Sequence, residues 1–319
     1  MEKKPYRILT IDGGGVRAVF SARLLERLFS GPFGAHFLAH VDLVAGCSAG
    51  GLVALLLAAG RSPPEVCSLL QRHSEEIFHA SAARGLTSLF GLLGARHGSD
   101  RLQAVLRDCF GDRRLDDLQK RVLIPAFQLD PRPGSRDKRS WKAKFFHNFP
   151  GPDSDGSERC VDVALRGSAA PTFFPTAQGH IDGGMVANNP SMAALAQALN
   201  GRGGPRQRLE DVALLSIGAG VNPSVIEGDR CWGAPQWAPR LVDIMVDGVN
   251  GVAHIQCGEL LGTRYHRLDP ELPAKVDFDD AAKASALVDW ADQVPLELAQ
   301  AWLAHVAGAL PTPVGLRVV

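Results

Sequence analysis

Two strand, turn and helix units lie within the first 60 residues, and they constrain the fold of this 319-residue chain more than any other feature. Residues 6–11 have the β-rich pattern of a short strand and run into the turn DGGG, after which apolar residues recur at helical spacing to Phe29. Residues 41–45 predict a second strand, followed by the turn GCSAG and an apolar helix over residues 51–59. Consecutive βα units favour an α/β protein with a parallel sheet covered on both faces.

The rest of the chain continues this mixture of strands and helices. The long helix predicted at residues 239–261 contains Gly248 and Gly251, which weaken its middle. No repeat, linker or low-complexity segment interrupts the pattern, so we expect one domain over residues 1–319, with residues from about 271 to 319 forming C-terminal helices packed on it. Strands are predicted at residues 122–129, 144–149, 212–217 and 264–268, and helices at residues 161–166, 192–199 and 239–261 and in two segments of residues 281–308.

The charge balance excludes some classes of function. The chain has 34 Lys and Arg against 34 Asp and Glu, and phosphate neutralisation dominates nucleic-acid affinity, so no nucleic-acid partner is expected. No two of the six cysteines lie closer than 20 positions, which gives no support to a zinc or dithiol motif, and we expect no metal and no cofactor. With no signal-peptide pattern and a longest apolar run of 8 residues (52–59), we expect a cytoplasmic protein, or one peripheral at a membrane.

The turn GCSAG at residues 46–50 places Ser48 between a strand and an apolar helix. A G-x-S-x-G sequence in this setting is typical of a nucleophile held at a sharp turn beside helix N–H groups. The alternative is a glycine-rich packing turn in which Ser48 only caps the helix. An α/β-hydrolase fold is not favoured, because only two strands precede Ser48 here.

The turn at residues 12–15 exposes backbone N–H groups at the start of a helix, which suits an anion. Gly13, Gly15 and Ala18 also satisfy a dinucleotide fingerprint, but the next strand ends in Gly46-Cys47-Ser48 rather than in the acidic residue that such a site needs. No Gly-Lys-Ser/Thr follows, so a phosphate-binding P-loop is not supported either. We therefore interpret this turn as an oxyanion hole.

Asp182 precedes two glycines in the third cluster, which continues to Asn188-Asn189-Pro190. A carboxylate desolvated at a strand end could accept the serine proton. By itself, a turn aspartate capping local N–H groups is the more common explanation for such a sequence. Strand alternation would put His180 on the same face, although we expect His180 to be structural or exposed.

The three clusters together resemble the patatin-like phospholipases, the lipid acyl hydrolases related to plant patatin and cytosolic phospholipase A2. The family order is D-G-G-G-x-R/K-G, then G-x-S-x-G, then D-G-G/A, and Ala18 stands here where the family usually has glycine. The resemblance spans residues 7 to 270. The matching segments are DGGGVRA at 12–18, GCSAG at 46–50, SAAPTFFP at 168–175, DGG at 182–184, NNP at 188–190, SIGAG at 216–220 and YHRLDP at 265–270.

The resemblance implies a three-layer α/β/α fold with a mainly parallel central sheet, and a Ser–Asp dyad without histidine, acting without a metal. It implies Ser48 as nucleophile and Asp182 as base. Gly13, Gly14 and Gly15 would form the oxyanion hole, and Arg17 would support this loop or bind the substrate phosphate.

The implied function is hydrolysis of fatty-acyl esters of phospholipids or other acyl lipids at a transient membrane surface. A signal-activated, membrane-degrading phospholipase of a bacterial defence system, with a small nucleotide activator, is one alternative, and a non-catalytic lipid-binding protein is another. Residues 85–94 are either an interfacial loop or a buried helix. The basic, aromatic stretch at residues 132–144 is either a membrane contact or a solvated loop.

Overall fold

A mostly parallel sheet of seven strands forms the centre of the computed structural model, which describes residues 5–77, 95–129, 141–227 and 231–308. Its order is β4-β3-β2-β1-β6-β7, and β5 pairs with β3 off this path. β4 and β5 are antiparallel to β3, and the other pairs are parallel. The strands are β1 (Tyr6–Ile11), β2 (Leu43–Gly46), β3 (Arg121–Gln128), β4 (Lys142–His147), β5 (His180–Asp182), β6 (Val212–Ile217) and β7 (Tyr265–Leu268).

Alternation along the strands divides the core into two layers. Ile8 of β1 faces a cluster that contains Leu195 and Cys257, whereas its neighbour Leu9 faces the cluster that contains Leu25 and Val53. Successive strand side chains point to opposite faces of a sheet, so both faces are covered by helices. This arrangement confirms the predicted α/β fold with a mainly parallel central sheet.

Helices connect the strands and cover the sheet. The predicted helices at residues 161–166, 192–199 and 239–261 agree with helices at Cys160–Gly167, Ser191–Leu199 and Ala234–Leu261. Four further helices were not predicted: Pro32–Ala39, Pro63–Ile77, Ser99–Phe110 and Gly184–Ala187. None of the described helices is both long and apolar enough to cross a membrane. They are α1 (Ala18–Phe29), α2 (Pro32–Ala39), α3 (Ser48–Ala58), α4 (Pro63–Ile77), α5 (Ser99–Phe110), α6 (Cys160–Gly167), α7 (Gly184–Ala187), α8 (Ser191–Leu199), α9 (Ala234–Leu261), α10 (Ala284–Gln293) and α11 (Glu297–Val306).

The long helix α9 is continuous through Gly248 and Gly251, despite the cost of glycine in a helix. Its C-terminal half is held by the buried side chains of Ala253, Cys257 and Leu261. Tertiary packing of this kind commonly overrides local propensity.

The two C-terminal helices pack beside the N-terminal ones, α10 against α1 and α11 against α2. Trp302 of α11 is buried and donates a hydrogen bond to the Thr263 carbonyl. The description of residues 1–319 as one domain, with residues from about 271 to 319 forming C-terminal helices packed on it, stays a prediction.

Candidate active site

A sharp turn between β2 and α3 holds Ser48 in a left-handed backbone conformation, with φ of +52°. Such a conformation is uncommon for a residue with a side chain and costs on the order of 1–3 kcal/mol. Its neighbours explain why the turn needs glycine. A Cβ added at Gly46 would lie 2.1 Å from the carbonyl oxygen of Gly50, and one added at Gly50 would lie 2.3 Å from that of Asp12. The GCSAG turn therefore has the strained strand-to-helix geometry expected from its sequence.

The edge of β3 brings Asp182 to this serine. β4 pairs along β3 from Leu123 to Gln128, so it occupies one edge of that strand. β2 pairs with residues 121–123 and β5 with residues 126–128, and these two strands must share the other edge. β5 thus lies just beyond the carboxyl end of β2, where Ser48 begins α3. Ser48 Oγ donates a 2.6 Å hydrogen bond to Asp182 Oδ2.

Asp182 is a buried carboxyl group, with 5% of its surface exposed. Burial raises its pKa from 3.8 to about 6, against the opposing effect of the hydrogen bonds that it accepts. Its Oδ1 accepts the Gly184 amide at 2.7 Å and the Cys47 thiol at 3.8 Å. The carboxylate is therefore oriented by both oxygens and is a stronger base than an exposed aspartate.

The glycine turn lies directly beside Ser48, since a Cβ added at Gly13 would be 3.3 Å from the serine Cβ. The Gly13 amide donates to the Asn188 carbonyl at 3.0 Å. The amides of Gly14 and Gly15 donate to no acceptor among the residues that the structure describes. Gly15 has φ of +56°, and a Cβ there would lie 2.1 Å from the Phe278 carbonyl oxygen. Two of the three predicted oxyanion-hole amides thus remain without a described acceptor.

Arg17 lies behind this turn and is buried. Its Nη1 donates to the Gly220 carbonyl at 2.9 Å, and its guanidinium lies 4.8 Å from the centre of the Phe278 ring. Burial lowers the pKa of Arg17, while Asp269 acts to raise it. Two roles were predicted for Arg17, support of the glycine loop and binding of the substrate phosphate, and this position suits support of the loop.

A buried ion-pair network that sequence reasoning did not place in the site joins the ends of β1 and β7. Arg267 contacts carboxylate oxygens of both Asp12 and Asp269 at 2.6 Å and donates to Ser216 Oγ at 2.8 Å. Burial raises the pKa of Asp12 to about 6, and Arg267 opposes this rise. Asp269 Oδ1 also accepts the Gly220 amide. The segment YHRLDP was the available signal for this network.

Asn188 joins the glycine turn to α9 and was likewise absent from the predicted site residues. Its side-chain nitrogen donates to the Gly13 carbonyl at 3.2 Å and to Asn250 Oδ1 at 3.1 Å. Because its own carbonyl accepts the Gly13 amide, Asn188 binds both polar groups of that glycine. The NNP segment carried this signal.

An apolar cavity opens beside Ser48 and Asp182 and contains about 1280 Å³ of atom-free space, including its open mouth. Gly14 and Gly15 line it, whereas Arg17 does not. Its walls are almost entirely aliphatic and aromatic, so the cavity suits a hydrocarbon chain. Six representative wall residues are Leu52, Leu70, Ile77, Leu102, Leu106 and Phe174.

His180 lies on the same strand as Asp182 but does not line the cavity. Its ring contacts the Gln178 carbonyl at 2.9 Å and packs against Phe146, and burial lowers its pKa. This environment agrees with the structural role expected for it. Across the described ranges, no group of three or more His, Cys, Asp or Glu side chains is arranged to hold a metal ion.

The two segments predicted as possible membrane contacts, residues 85–94 and 132–144, lie largely outside the described structure. Residues 85–94 lie wholly outside the described residues, and so do residues 132–140 of the basic stretch.

Comparisons with known proteins show what the chain is similar to. The family model described as "Patatin-like phospholipase" matches residues 9–195, which is more than half of the chain. The protein CotR of Bacillus subtilis (strain 168) is 33% identical over 93% of this chain and 97% of its own. A cGAMP-activated phospholipase of Pseudomonas aeruginosa is 30% identical over 83% of this chain and 78% of its own. The crystal structure of VipD from Legionella pneumophila aligns with 89% of this chain and 67% of that chain, with a TM-score of 0.40 and 12% identity.

Proposed function

Because the chain belongs to the patatin-like phospholipase family, a family of lipid hydrolases, we propose that it cleaves fatty-acyl esters of phospholipids or other acyl lipids through a Ser48–Asp182 dyad. The observation that carries the proposal is the 2.6 Å hydrogen bond from Ser48 Oγ to Asp182 Oδ2 at the mouth of an apolar cavity.

In the first step Ser48 Oγ attacks the ester carbonyl carbon, and its proton moves to Asp182 Oδ2. The raised pKa of Asp182, about 6, improves the carboxylate as a base while leaving it mostly ionised at neutral pH. The strained Ser48 backbone and the hydrogen bond hold Oγ in place for the attack.

The tetrahedral intermediate carries a negative oxygen, which needs nearby N–H donors. The amides of Gly14 and Gly15 are suited to this role, because both glycines line the cavity with Ser48 and donate to no described acceptor. Gly13 supports them through its bonds to Asn188. Arg17 and its contact with Gly220 would hold the loop from behind, as a positioning residue.

Collapse of the intermediate breaks the ester C–O bond, and the alcohol oxygen of the lyso-lipid takes the proton from Asp182. The acyl group remains on Ser48 Oγ. Asp182 then accepts a proton from a water molecule, and the water oxygen attacks the acyl carbon. The bond between the acyl carbon and Ser48 Oγ breaks, Oγ takes the proton back from Asp182, and the fatty acid leaves. The apolar cavity would hold the acyl chain throughout.

Labelling with a fluorophosphonate probe, together with mass spectrometry of fatty acids released from a mixed lipid extract, tests the proposal. Ser48→Ala should remove both labelling and fatty-acid release, and Asp182→Asn should nearly abolish both. Ser68→Ala, at an exposed position on α4, is the matched control and should behave as the parent protein. Full fatty-acid release by Ser48→Ala would refute the dyad, and failure of the parent to react with the probe would favour a lipid-binding protein.

Activation by a nucleotide is a second candidate feature. It is favoured by relatives named cGAMP-activated phospholipase, including those of Pseudomonas aeruginosa and Vibrio cholerae, each 30% identical to this chain. Such a protein would be a triggered effector of membrane degradation rather than a constitutive enzyme. Fatty-acid release measured with and without cGAMP distinguishes the two: a nucleotide-independent rate supports the constitutive enzyme. In either case we expect a cytoplasmic protein that acts at the membrane surface.

A further inference from the structure

The middle of α9, from residue 241 to residue 255, presents apolar side chains to solvent. Leu241, Met245, Val252 and Ile255 are all exposed, and with Gly248 they follow one another at intervals of four and three residues. That spacing puts them on one face of the helix. Ala253 and Cys257, which are buried, lie on the opposite face. We refer to the exposed side of residues 241–255 as the outer face of α9.

The outer face is broad. Ile244 and Val242 are also exposed and lie at its two margins, which widens the apolar arc to about 160° at about 3.6 residues per turn. The charged residues of this stretch, Asp243 and Asp247, lie off the arc, on the side of the helix that interacts with Arg17. A coiled-coil seam between two helices would need only the narrow central stripe. The width therefore favours an extended apolar medium over a single partner helix.

The outer face is continuous with the apolar cavity. Val242 at its margin and Val246, one helical turn on, both line the cavity that contains Ser48. Met185, on the short helix α7 that packs against α9, is exposed and lines the same cavity. An acyl chain leaving a lipid layer in contact with the outer face would thus meet apolar surface along its whole path to the serine.

Polar and aromatic groups mark the start of the helix. Trp232 and Trp237 pack against each other with ring centroids 5.1 Å apart, and the Arg240 guanidinium lies 4.7 Å from the centre of the Trp232 ring. Tryptophan and arginine are side chains that prefer the boundary between lipid and water. Deeper along α9, Asn250 ties the helix to Asn188 and hence to the glycine turn.

We propose that the outer face of α9 docks onto a phospholipid bilayer, where its apolar side chains insert among the headgroups and position the cavity mouth to receive an acyl chain. This inference rests on the proposed lipid hydrolysis. Because the inserted surface carries no charge, docking should not require anionic lipid and should resist salt.

Vesicle flotation of the full chain tests the surface directly. Val252→Asp combined with Ile255→Asp places two charges on the outer face, at side chains 56% and 59% exposed that do not line the cavity. Binding to phosphatidylcholine vesicles should become about tenfold weaker or more, because two apolar side chains are replaced by charged ones that resist insertion. Leu298→Asp is the matched control, since Leu298 is 58% exposed on α11, and it should bind as the parent does.

Hydrolysis of a short, soluble ester separates the two proposals. The double variant should keep the parent rate on the soluble ester and lose hydrolysis of vesicle lipid. Unchanged flotation and vesicle hydrolysis would overturn docking through α9 while leaving the dyad intact. Conversion of a parent dimer to a monomer, with vesicle binding unchanged, would overturn it in favour of a second copy of the chain. If the parent protein does not react with the fluorophosphonate probe, the dyad is contradicted. Vesicle flotation would still test whether the outer face of α9 binds the bilayer.

Discussion

Ser48 Oγ donates a 2.6 Å hydrogen bond to Asp182 Oδ2 across 134 positions of the chain. The contact exists because β2 and β5 share one edge of β3, at residues 121–123 and 126–128 respectively. The parallel strand β2 and the antiparallel strand β5 both end at this point, so the turn serine after β2 meets the carboxylate of the last residue of β5. Small shifts of β5 along β3 would separate them, so the register of this pair positions the proposed dyad.

The rate of ester hydrolysis should fall as the pH drops through about 6. Burial raises the pKa of Asp182 from 3.8 to about 6, and only its ionised form can accept the Ser48 proton. The carboxylate form, and with it the activity, is therefore present above this pH and lost below it. The measurement is kcat/KM on a soluble ester between about pH 4.5 and 8.

His180→Gln is the control for this profile, because His180 lies on the same strand and does not line the cavity. It should leave both the rate and the acidic limb unchanged. A limb that disappears in His180→Gln would assign the titration to histidine and contradict a dyad based on Asp182.

Gly50→Ala should destabilise the protein strongly. The added Cβ would lie 2.3 Å from the Asp12 carbonyl oxygen, and no flexible side chain can yield there because the contact is with backbone. We expect a loss of about 1–3 kcal/mol or more in unfolding free energy, measured by urea denaturation.

Gly248→Ala is its matched control. Nothing lies within 4 Å of a Cβ added at Gly248, and alanine favours a helix by about 1 kcal/mol over glycine. This variant should be as stable as the parent or slightly more so. Equal stability of both variants would show that the turn tolerates a side chain and that the steric explanation of the glycine is wrong.

Arg267→Met should reduce stability by about 3–5 kcal/mol at neutral pH, since it leaves the carboxylates of Asp12 and Asp269 buried without their shared cation. Burial already raises the pKa of Asp12 to about 6. Its pKa in the variant should rise further above the unfolded value, so the unfolding free energy of the variant falls as pH rises. The difference from the parent should therefore shrink as the pH is lowered from the higher pKa of the variant toward about 6, the pKa of Asp12 in the parent.

Thermal and urea unfolding at several pH values provide the measurement. Arg208→Met is the control, because Arg208 is exposed and, among the described residues, its ion-pair partner is the exposed Glu210. It should change stability by no more than about 0.5 kcal/mol. A loss at Arg267 that is equally small, or independent of pH, would contradict the network.

Asn188→Ala should lower kcat by about 10- to 100-fold on soluble and vesicle substrates alike, because it removes the side-chain hydrogen bond to the Gly13 carbonyl and so loosens the adjacent amides of the glycine turn. Asn200→Ala, in the turn after α8, is the control and should keep the parent kcat. Steady-state kinetics and the rate of fluorophosphonate labelling measure the effect. An unchanged kcat in Asn188→Ala would mean that this side chain does not position the loop.

Local patterns were sufficient for the parts of the site that depend on consecutive residues. The turn around Ser48 could be predicted because strand, glycines and helix adjoin in sequence, and their steric needs are local. The DGG turn gave Asp182 at a strand end for the same reason. Local patterns also supported β1 and β6, whose buried residues are mostly apolar.

Contacts between distant segments could not be predicted in this way. The pairing of Arg267 with Asp12 joins residues 255 positions apart, and its members resemble ordinary surface charges in the sequence. The helices α4 and α5 were not predicted, although each has one apolar face; α4 packs on α1, α5 packs on α6, and the two pack on each other.

The sequence by itself determined the two βα units of the first 60 residues and their glycine turns, which follow from backbone sterics acting over a few neighbouring residues. The roles proposed for Ser48 and Asp182 came from the resemblance of three such motifs to one family. Only the tertiary structure decided that Asp182 meets Ser48, that Arg17 lies behind the loop and that one face of α9 stays exposed. Those outcomes depend on strand register and on which helix face finds a packing partner, and both are set by contacts between segments far apart in the chain.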